Sequence, residues 1–292
     1  MRVSKGLQAI IVLILITIVW GSAFTLVKQS LAQASPIAFI ASRFWIAAAV
    51  TLICLPRSLL NISPATLRRG IVLSIFLLGG FIFQTLGLRW TTPSRSAFIT
   101  STSVLLVPVL GYVLFGRRPR LQTMAGVALA TVGLGLLTLE RLELAFSYGD
   151  LLTFLCAIVF ALHILFLGRY LPASDFRQLF VLQMAGSALL CSLILPVLER
   201  PFLVWDMILI SYLAVVGVLA TAVAFYAQTW AQRFTTPNRT ALIFSLEPFF
   251  AALFAYLMLG HQLTIREWIG GVLVMGGIVI SEFRRAGEGL GS

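Results

Sequence analysis

The segment from Gln84 to Thr138 occurs twice in this chain, the second time 144 positions later and without a gap. Gln84 falls on Gln228, Thr85 on Thr229 and Arg89 on Arg233. Thr91-Thr92-Pro93-Ser94-Arg95-Ser96-Ala97 then falls on Thr235-Thr236-Pro237-Asn238-Arg239-Thr240-Ala241. The register persists through Tyr112 on Tyr256, Gly116 on Gly260, Gly126 on Gly270 and Gly133 on Gly277. A repeat with one fixed offset sets the architecture before any local propensity does. Its long period and apolar content point to a duplicated membrane protein rather than a soluble solenoid.

Composition agrees. The 292 residues are 60% hydrophobic and only 11% charged, whereas a soluble domain carries about 25% charged residues. A formal charge of +11 raises nucleic acid as a partner. The Arg residues sit in short gaps between apolar runs and form no continuous basic face, so that reading fails. Cys54, Cys156 and Cys191 all lie inside apolar runs without a CxxC pair, which implies neither a disulfide framework nor a metal site. No cofactor is implied. The start imitates a signal peptide, with Arg2 and Lys5 before an apolar run and Gly21-Ser22-Ala23 after Trp20. The run continues through Val27, which is long enough to span, so it reads as the first transmembrane helix.

A spanning helix needs about 20 apolar residues. Ten runs qualify, at roughly 7–28, 36–55, 70–89, 95–115, 121–139, 149–168, 178–198, 207–231, 239–259 and 266–283. The expected fold is therefore all-α and polytopic, with two five-helix repeats, 1–144 and 145–292, forming one transport domain in a lipid bilayer. With the N-terminus in the cytoplasm, the inside segments hold most of the cations, including Arg57, Arg68, Arg69, Arg117, Arg118, Arg120, Arg169 and Arg177. The outside segments hold Lys28, Arg89, Arg95, Arg141, Arg200 and Arg266. That asymmetry puts both termini inside. An odd number of spans per half inverts the second half, so one Thr-Thr-Pro turn is periplasmic and the other cytoplasmic. Inverted repeats are the usual build of secondary transporters.

Few ionisable groups sit deep in the spans, and each needs a reason, since a charge at a helix centre costs about 2.5–3.5 kcal/mol. Glu247 lies in the ninth span and His163 in the sixth. Counting helical rise puts them at similar depth. They are expected to line the cytoplasmic half of a polar pathway, as a gate or protonatable pair; the rival reading is a carboxylate that only bonds a kinked backbone. Arg43 in the second span lies nearer the periplasmic side, where it is free to snorkel outward. Pro108 and Pro248 fall within repeat-related spans and free the carbonyls of Val104 and Phe244. Broken helices at related places point to a substrate site, the alternative being a kink for packing.

Helical spacing groups Trp20 with Phe24, Thr100 with Ser103, Phe160 with His163, and Thr221 with Phe225 and Gln228. With Gln84 and Tyr226 these are candidates to line a cavity for a small amphipathic solute. Against this, Phe and Trp in spans often face lipid; an amide facing lipid is expensive. Gly126, Gly133, Gly135, Gly270, Gly271, Gly276 and Gly277 let backbones approach closely. Their two spans are expected to pack tightly, to stiffen each half and to lie away from substrate.

The chain resembles the drug/metabolite transporter superfamily, specifically its ten-span EamA-type exporters. The likeness covers essentially the whole chain. It rests on Trp20-Gly21-Ser22-Ala23-Phe24, Arg43-Phe44, the Thr-Thr-Pro-Ser-Arg-Ser-Ala turn, Leu246-Glu247-Pro248, and Gly260 with Gly270-Gly271. The resemblance implies export of amino acids and related metabolites across the bacterial inner membrane, with YddG-type amino-acid exporters the nearest type. It also implies a central cavity formed by spans one, three, four, six, eight and nine. Family members often carry Glu after the Gly closing the fourth and ninth spans; here Arg117 and His261 stand there, and no role is carried over. The substrate class alternatives are another small metabolite or a drug. With no GxxxxGK[ST] motif, energy comes from a gradient or exchange, and Glu247 leaves protons open as coupling ion. An intramembrane enzyme would need clustered nucleophile, base or metal ligands, which two His and no HExxH do not supply. A sensory protein usually brings a soluble output domain, and no gap here could hold one.

Overall fold

The computed structural model describes residues 4–116, 118–138, 147–259 and 264–282. Arg117, His261 and the repeat boundary at 144/145 lie outside the described residues. All ten apolar runs lie on helices. In the first half these are α1 (Lys5–Ser30), α2 (Pro36–Cys54), α3 (Pro64–Gly87), the pair α4 (Pro93–Ser101) and α5 (Ser103–Phe115), and α6 (Leu121–Thr138). In the second half they are α7 (Tyr148–Tyr170) and α8 (Phe176–Leu198), then α9 (Met207–Ala214) joined to α10 (Ala224–Ala231) through a π-helical stretch, Val215–Val223. The pair α11 (Pro237–Phe244) and α12 (Glu247–Leu259) and the helix α13 (Ile265–Glu282) complete it. Strand pairing among the described residues amounts to one isolated bridge, Ala34 with Leu203.

Seven spans are long and apolar enough to cross a membrane on their own: α1, α2, α3, α4–α5, α7, α8 and α9–α10. The other three fall short of that for physical reasons. α6 is a shorter apolar helix, α11 and α12 are helices of 8 and 13 residues divided by both Ser245 and Leu246 where α4 and α5 are divided by Thr102 alone, and α13 carries Arg266, Glu267 and Glu282. The gap prolines explain where helices begin. Pro36, Pro64, Pro93 and Pro237 each stand in a helical first turn, where a missing N–H costs nothing. Thr92 and Thr236 cap the two repeated helices identically, accepting the Arg95 and Arg239 N–H at 3.3 and 3.4 Å. Outward-facing Ile53, Leu193 and Val197 are exposed, as lipid-facing side chains are in a chain whose solvent is the bilayer.

The repeat is visible in the helix boundaries. α4, α5 and α6 start at Pro93, Ser103 and Leu121; adding 144 gives Pro237, Glu247 and Ile265, where α11, α12 and α13 start. Both long spans break at the same repeat position, Thr102 in the first half and Leu246 in the second. Pro248 sits just past its break, in the first turn of α12. Pro108 instead stays inside α5, so the first break precedes it by more than a turn.

The inversion is read from α1, a helix of 26 residues and so about 39 Å long at 1.5 Å per residue. At its N-terminal end the Lys5 ammonium lies 5.5 Å from the Phe234 ring, beside the second Thr-Thr-Pro turn. At its other end the Lys28 ammonium donates to the Thr91 carbonyl at 3.1 Å and to that of Leu88, in the first turn. The two copies of one sequence lie at opposite ends of the bundle.

α6 and α13 pack on each other. A Cβ on Gly126 would lie 2.5 Å from the Gly277 carbonyl, and one on Gly133 would lie 2.6 Å from that of Gly270. Index rises along one helix as it falls along the other, so they are antiparallel. The offset of 144 turns Gly126 into Gly270 and Gly133 into Gly277, so each contact is the image of the other across a local two-fold. The glycines therefore join the two halves; the expectation that they stiffen each half separately is corrected. The reason is that only small residues allow backbones this close, and each helix finds that surface on its own copy.

Candidate functional site

A cavity of about 70 Å³ lies inside the bundle, walled mainly by α1, α3, α4–α5, α7, α10 and α11–α12. At about 10–15 Å³ of such space per water it has room for about five, well below the 300–1,000 Å³ typical of drug-sized sites. Its lining includes Trp20, Phe24, Gln84, Thr100, Ser103, Phe160, His163, Phe225, Gln228, Phe244 and Glu247. The 144-residue offset carries much of this wall onto itself: Trp20 onto Ile164, Phe81 onto Phe225, Gln84 onto Gln228, Thr100 onto Phe244 and Ser103 onto Glu247. The cavity thus sits on the axis that relates the halves. The asymmetric exchange of Ser103 for Glu247 gives only one half a carboxylate there.

Aromatic rings form a continuous wall. Phe225 lies 5.7 Å from Phe81 and 5.1 Å from Trp20, and Trp20 lies 4.9 Å from Phe244, centroid to centroid. Such tilted and edge-on contacts suit the ring quadrupole. The π-helical stretch positions two of the polar contacts. The Ala224 N–H reaches back to the Leu219 carbonyl, and the Ala220 carbonyl it passes over accepts the Trp20 indole N–H at 2.9 Å. The same stretch presents Thr221 to Arg43. Such π-bulges are frequent at functional sites.

Arg43 is the residue that depth alone misplaced. It does not snorkel outward: it is 2% exposed and borders the cavity. Its Nε and Nη2 both donate to the Thr221 hydroxyl, at 3.0 and 2.8 Å. The guanidinium carbon stands 4.1 Å from the Phe81 ring centroid, a contact worth about 2 kcal/mol when desolvated. No carboxylate pairs with it among the described residues. Phe81 was also missed, although the repeat would have found it, as the partner of Phe225.

His163 and Glu247 share the cavity but do not pair. The His163 Nε2 lies 2.6 Å from the Gln183 Oε1, turned toward α8. The Glu247 carboxylate, in a residue 7% exposed, makes no hydrogen bond or ion pair among the described residues and faces the cavity. It stands in the first turn of α12, where the helix N-terminus favours negative charge. The Gln228 amide donates to Gln232 at 3.1 Å, while its Oε1 and the Ser101 Oγ are buried without a partner. Tyr226 is not in the cavity: one residue beyond Phe225, its ring turns to Phe176 and Phe180 at 5.7 and 5.3 Å. Pro108 borders a different space, described next. Among the described residues no cluster of His, Cys, Asp or Glu is arranged to hold a metal.

A vestibule of about 950 Å³ opens at the end of the bundle that carries Ser4, Pro108, Arg120, Arg169, Pro237 and Arg239. At the opposite end the first Thr-Thr-Pro turn is tied to α7 and α1. There the buried Asp150 bridges Arg95 at 2.6 Å and accepts the Thr91 hydroxyl at 3.1 Å and the Ser147 N–H at 2.8 Å. Lys28 ties the turn to α1.

The EamA-like transporter family model matches this sequence twice, over residues 7–139 and 147–283. An uncharacterised transporter of Archaeoglobus fulgidus is 32% identical over 287 residues, covering 96% of this chain and 87% of its own. A probable amino-acid metabolite efflux pump of Salmonella typhimurium is 26% identical over 294 residues, covering 92% and 93%. Its counterpart in Escherichia coli, under the same name, is 25% identical over 301 residues, again covering 92% and 93%. A solved crystal structure superposes with a TM-score of 0.76 at 17% identity, covering 94% of this chain and 97% of its own, a likeness of fold.

Proposed function

The chain belongs to the EamA-like transporter family, and from that premise we propose that it exports amino acids or closely similar small metabolites across the bacterial inner membrane. The two halves, 1–144 and 145–292, rock against each other about the central cavity. This is secondary transport by alternating access, with both termini cytoplasmic. The observation that carries the reading is the self-mapping of the cavity wall, Phe81 with Phe225 and Gln84 with Gln228. In an inverted repeat, exchange of conformations between halves turns a path open at one end into one open at the other. The wide vestibule at one end and the tied turn at the other support one such state. The excess of Arg at the vestibule end supports its assignment to the cytoplasm. The names of the Salmonella and Escherichia relatives and the small, aromatic-walled cavity favour amino acids over larger drugs.

Counterflow in proteoliposomes tests the reading: unlabelled amino acid trapped inside should accelerate entry of labelled amino acid. Equal entry with and without protein would reject it. Protons are the coupling ion to examine first, because among the described residues Glu247 is the carboxylate that lines the cavity. Coupling through Glu247 predicts that Glu247→Gln abolishes uptake driven by a proton gradient while leaving counterflow measurable.

A further inference from the structure

We propose that the cavity is built for a net-neutral dipolar solute, its anionic group on Arg43 and its cationic group on Glu247. The inference rests on the transport reading above and specifies the class of solute that the transporter accepts.

Two side chains of opposite formal charge, Arg43 and Glu247, border one small space, and neither has a counter-ion among the described residues. Arg43 spends Nε and Nη2 on a neutral hydroxyl, which leaves its charge uncompensated and Nη1 without a protein acceptor beside the cavity. Glu247 has no hydrogen-bond donor or ion-pair partner among the described residues. A buried charge lacking its partner is strongly unfavourable, and in a span it is the mark of a ligand pathway. The two do not satisfy each other: Arg95–Asp150 is the ion pair seen among the described residues. Aromatic rings run between them, with Phe81 under the Arg43 guanidinium and Phe244 one turn before Glu247. A solute that is neutral overall but carries both charges compensates both ends together and lays its apolar part on that wall. A solute with one charge leaves the other pole buried and bare.

The test compares three solutes with one hydrocarbon skeleton: leucine, isoamylamine, which lacks the carboxylate, and 4-methylpentanoate, which lacks the ammonium group. The zwitterion 5-aminopentanoate is added to read the spacing between the poles. Counterflow is measured for wild type, Arg43→Gln, Arg43→Lys and Glu247→Gln, each checked for a single symmetric peak on gel filtration. Wild type should carry at least one zwitterion about tenfold or more faster than either single-charge analogue, the scale set by leaving one charged partner unpaired. Arg43→Gln should lose that preference against the amine, Glu247→Gln should lose it against the acid, and Arg43→Lys should keep part of it. Equal rates for the zwitterions and either analogue in wild type would overturn the clamp while leaving an exporter of small solutes standing. Full zwitterion preference in Arg43→Gln or Glu247→Gln would overturn it too. Counterflow of none of the four solutes would reject the amino-acid reading and the clamp together. Should a variant not fold, the wild-type comparison decides alone.

Discussion

The two Thr-Thr-Pro turns share most of their sequence, a cap and a helix start, and yet one is held by an ion pair and a lysine while the other borders a wide vestibule. Around the first, Asp150 holds Arg95, Thr91 and the Ser147 N–H, and Lys28 reaches the turn from α1. The offset of 144 places Gly6 where Asp150 would be and Pro172 where Lys28 would be. The second turn has its arginine, Arg239, and α1 presents Gly6 there where α7 presents Asp150 to the first. Inversion gives both ends of the bundle the same scaffold. On the proposed mechanism, a few polar side chains laid over that scaffold decide which end closes.

Exchanging those side chains should exchange the ends. The largest effect is expected from Asp150→Asn combined with Gly6→Asp. It should open the far turn and draw the vestibule closed, so that a cysteine at Ser103 becomes reachable by an impermeant thiol reagent from the opposite face. A Cβ at Gly6 has room, with the Phe234 carbonyl 4.0 Å away as its nearest neighbour. An acid in the first turn of α1 also suits the helix dipole.

Asp150→Asn alone should do less. It removes charge-assisted hydrogen bonds worth about 1–3 kcal/mol, or about five- to 150-fold in the balance between the two open states. Double electron–electron resonance between labels at Arg89 and Tyr148 should show the distance lengthening and its distribution broadening. Lys28→Met, which takes only neutral carbonyls from the turn, should shift the same distribution by a smaller margin. Gly6→Asp alone is expected to act least, slowing reagent access to Thr235→Cys from the vestibule side by a few-fold.

The fold was legible because the signals that specify it are long. Ten apolar runs, the prolines at helix starts and an ungapped repeat leave little freedom, and the odd number of spans per half forces the inversion. The cavity was legible in part. Gln84 and Gln228 announced themselves as repeat partners that lipid would not tolerate, and Trp20, Phe24, Phe160, Phe225 and Phe244 all reach the wall. Depth along a helix says nothing about direction around it, which is why Arg43 was sent toward the periplasm and His163 toward Glu247. Their partners, Thr221 and Gln183, are fixed by how α2 meets the π-helical stretch and how α7 meets α8. Tyr226 fails for a similar reason: one residue past Phe225, it is turned about 100° away. The π-helical stretch, which packs against α1 and α2, has no signal in a run made mostly of Val, Ala and Gly.

The account stands on antiparallel halves that share a cavity on their common axis. Arg89 and Arg233 are repeat partners, both exposed, one beside each turn. Single cysteines at these positions, in a background with the exposed Cys54 replaced, report sidedness directly in oriented vesicles treated with an impermeant maleimide. Labelling of Arg89→Cys from the outer face only and of Arg233→Cys from the inner face only is the predicted result. Labelling of both from one face would contradict the inversion, and with it the exchange of open ends.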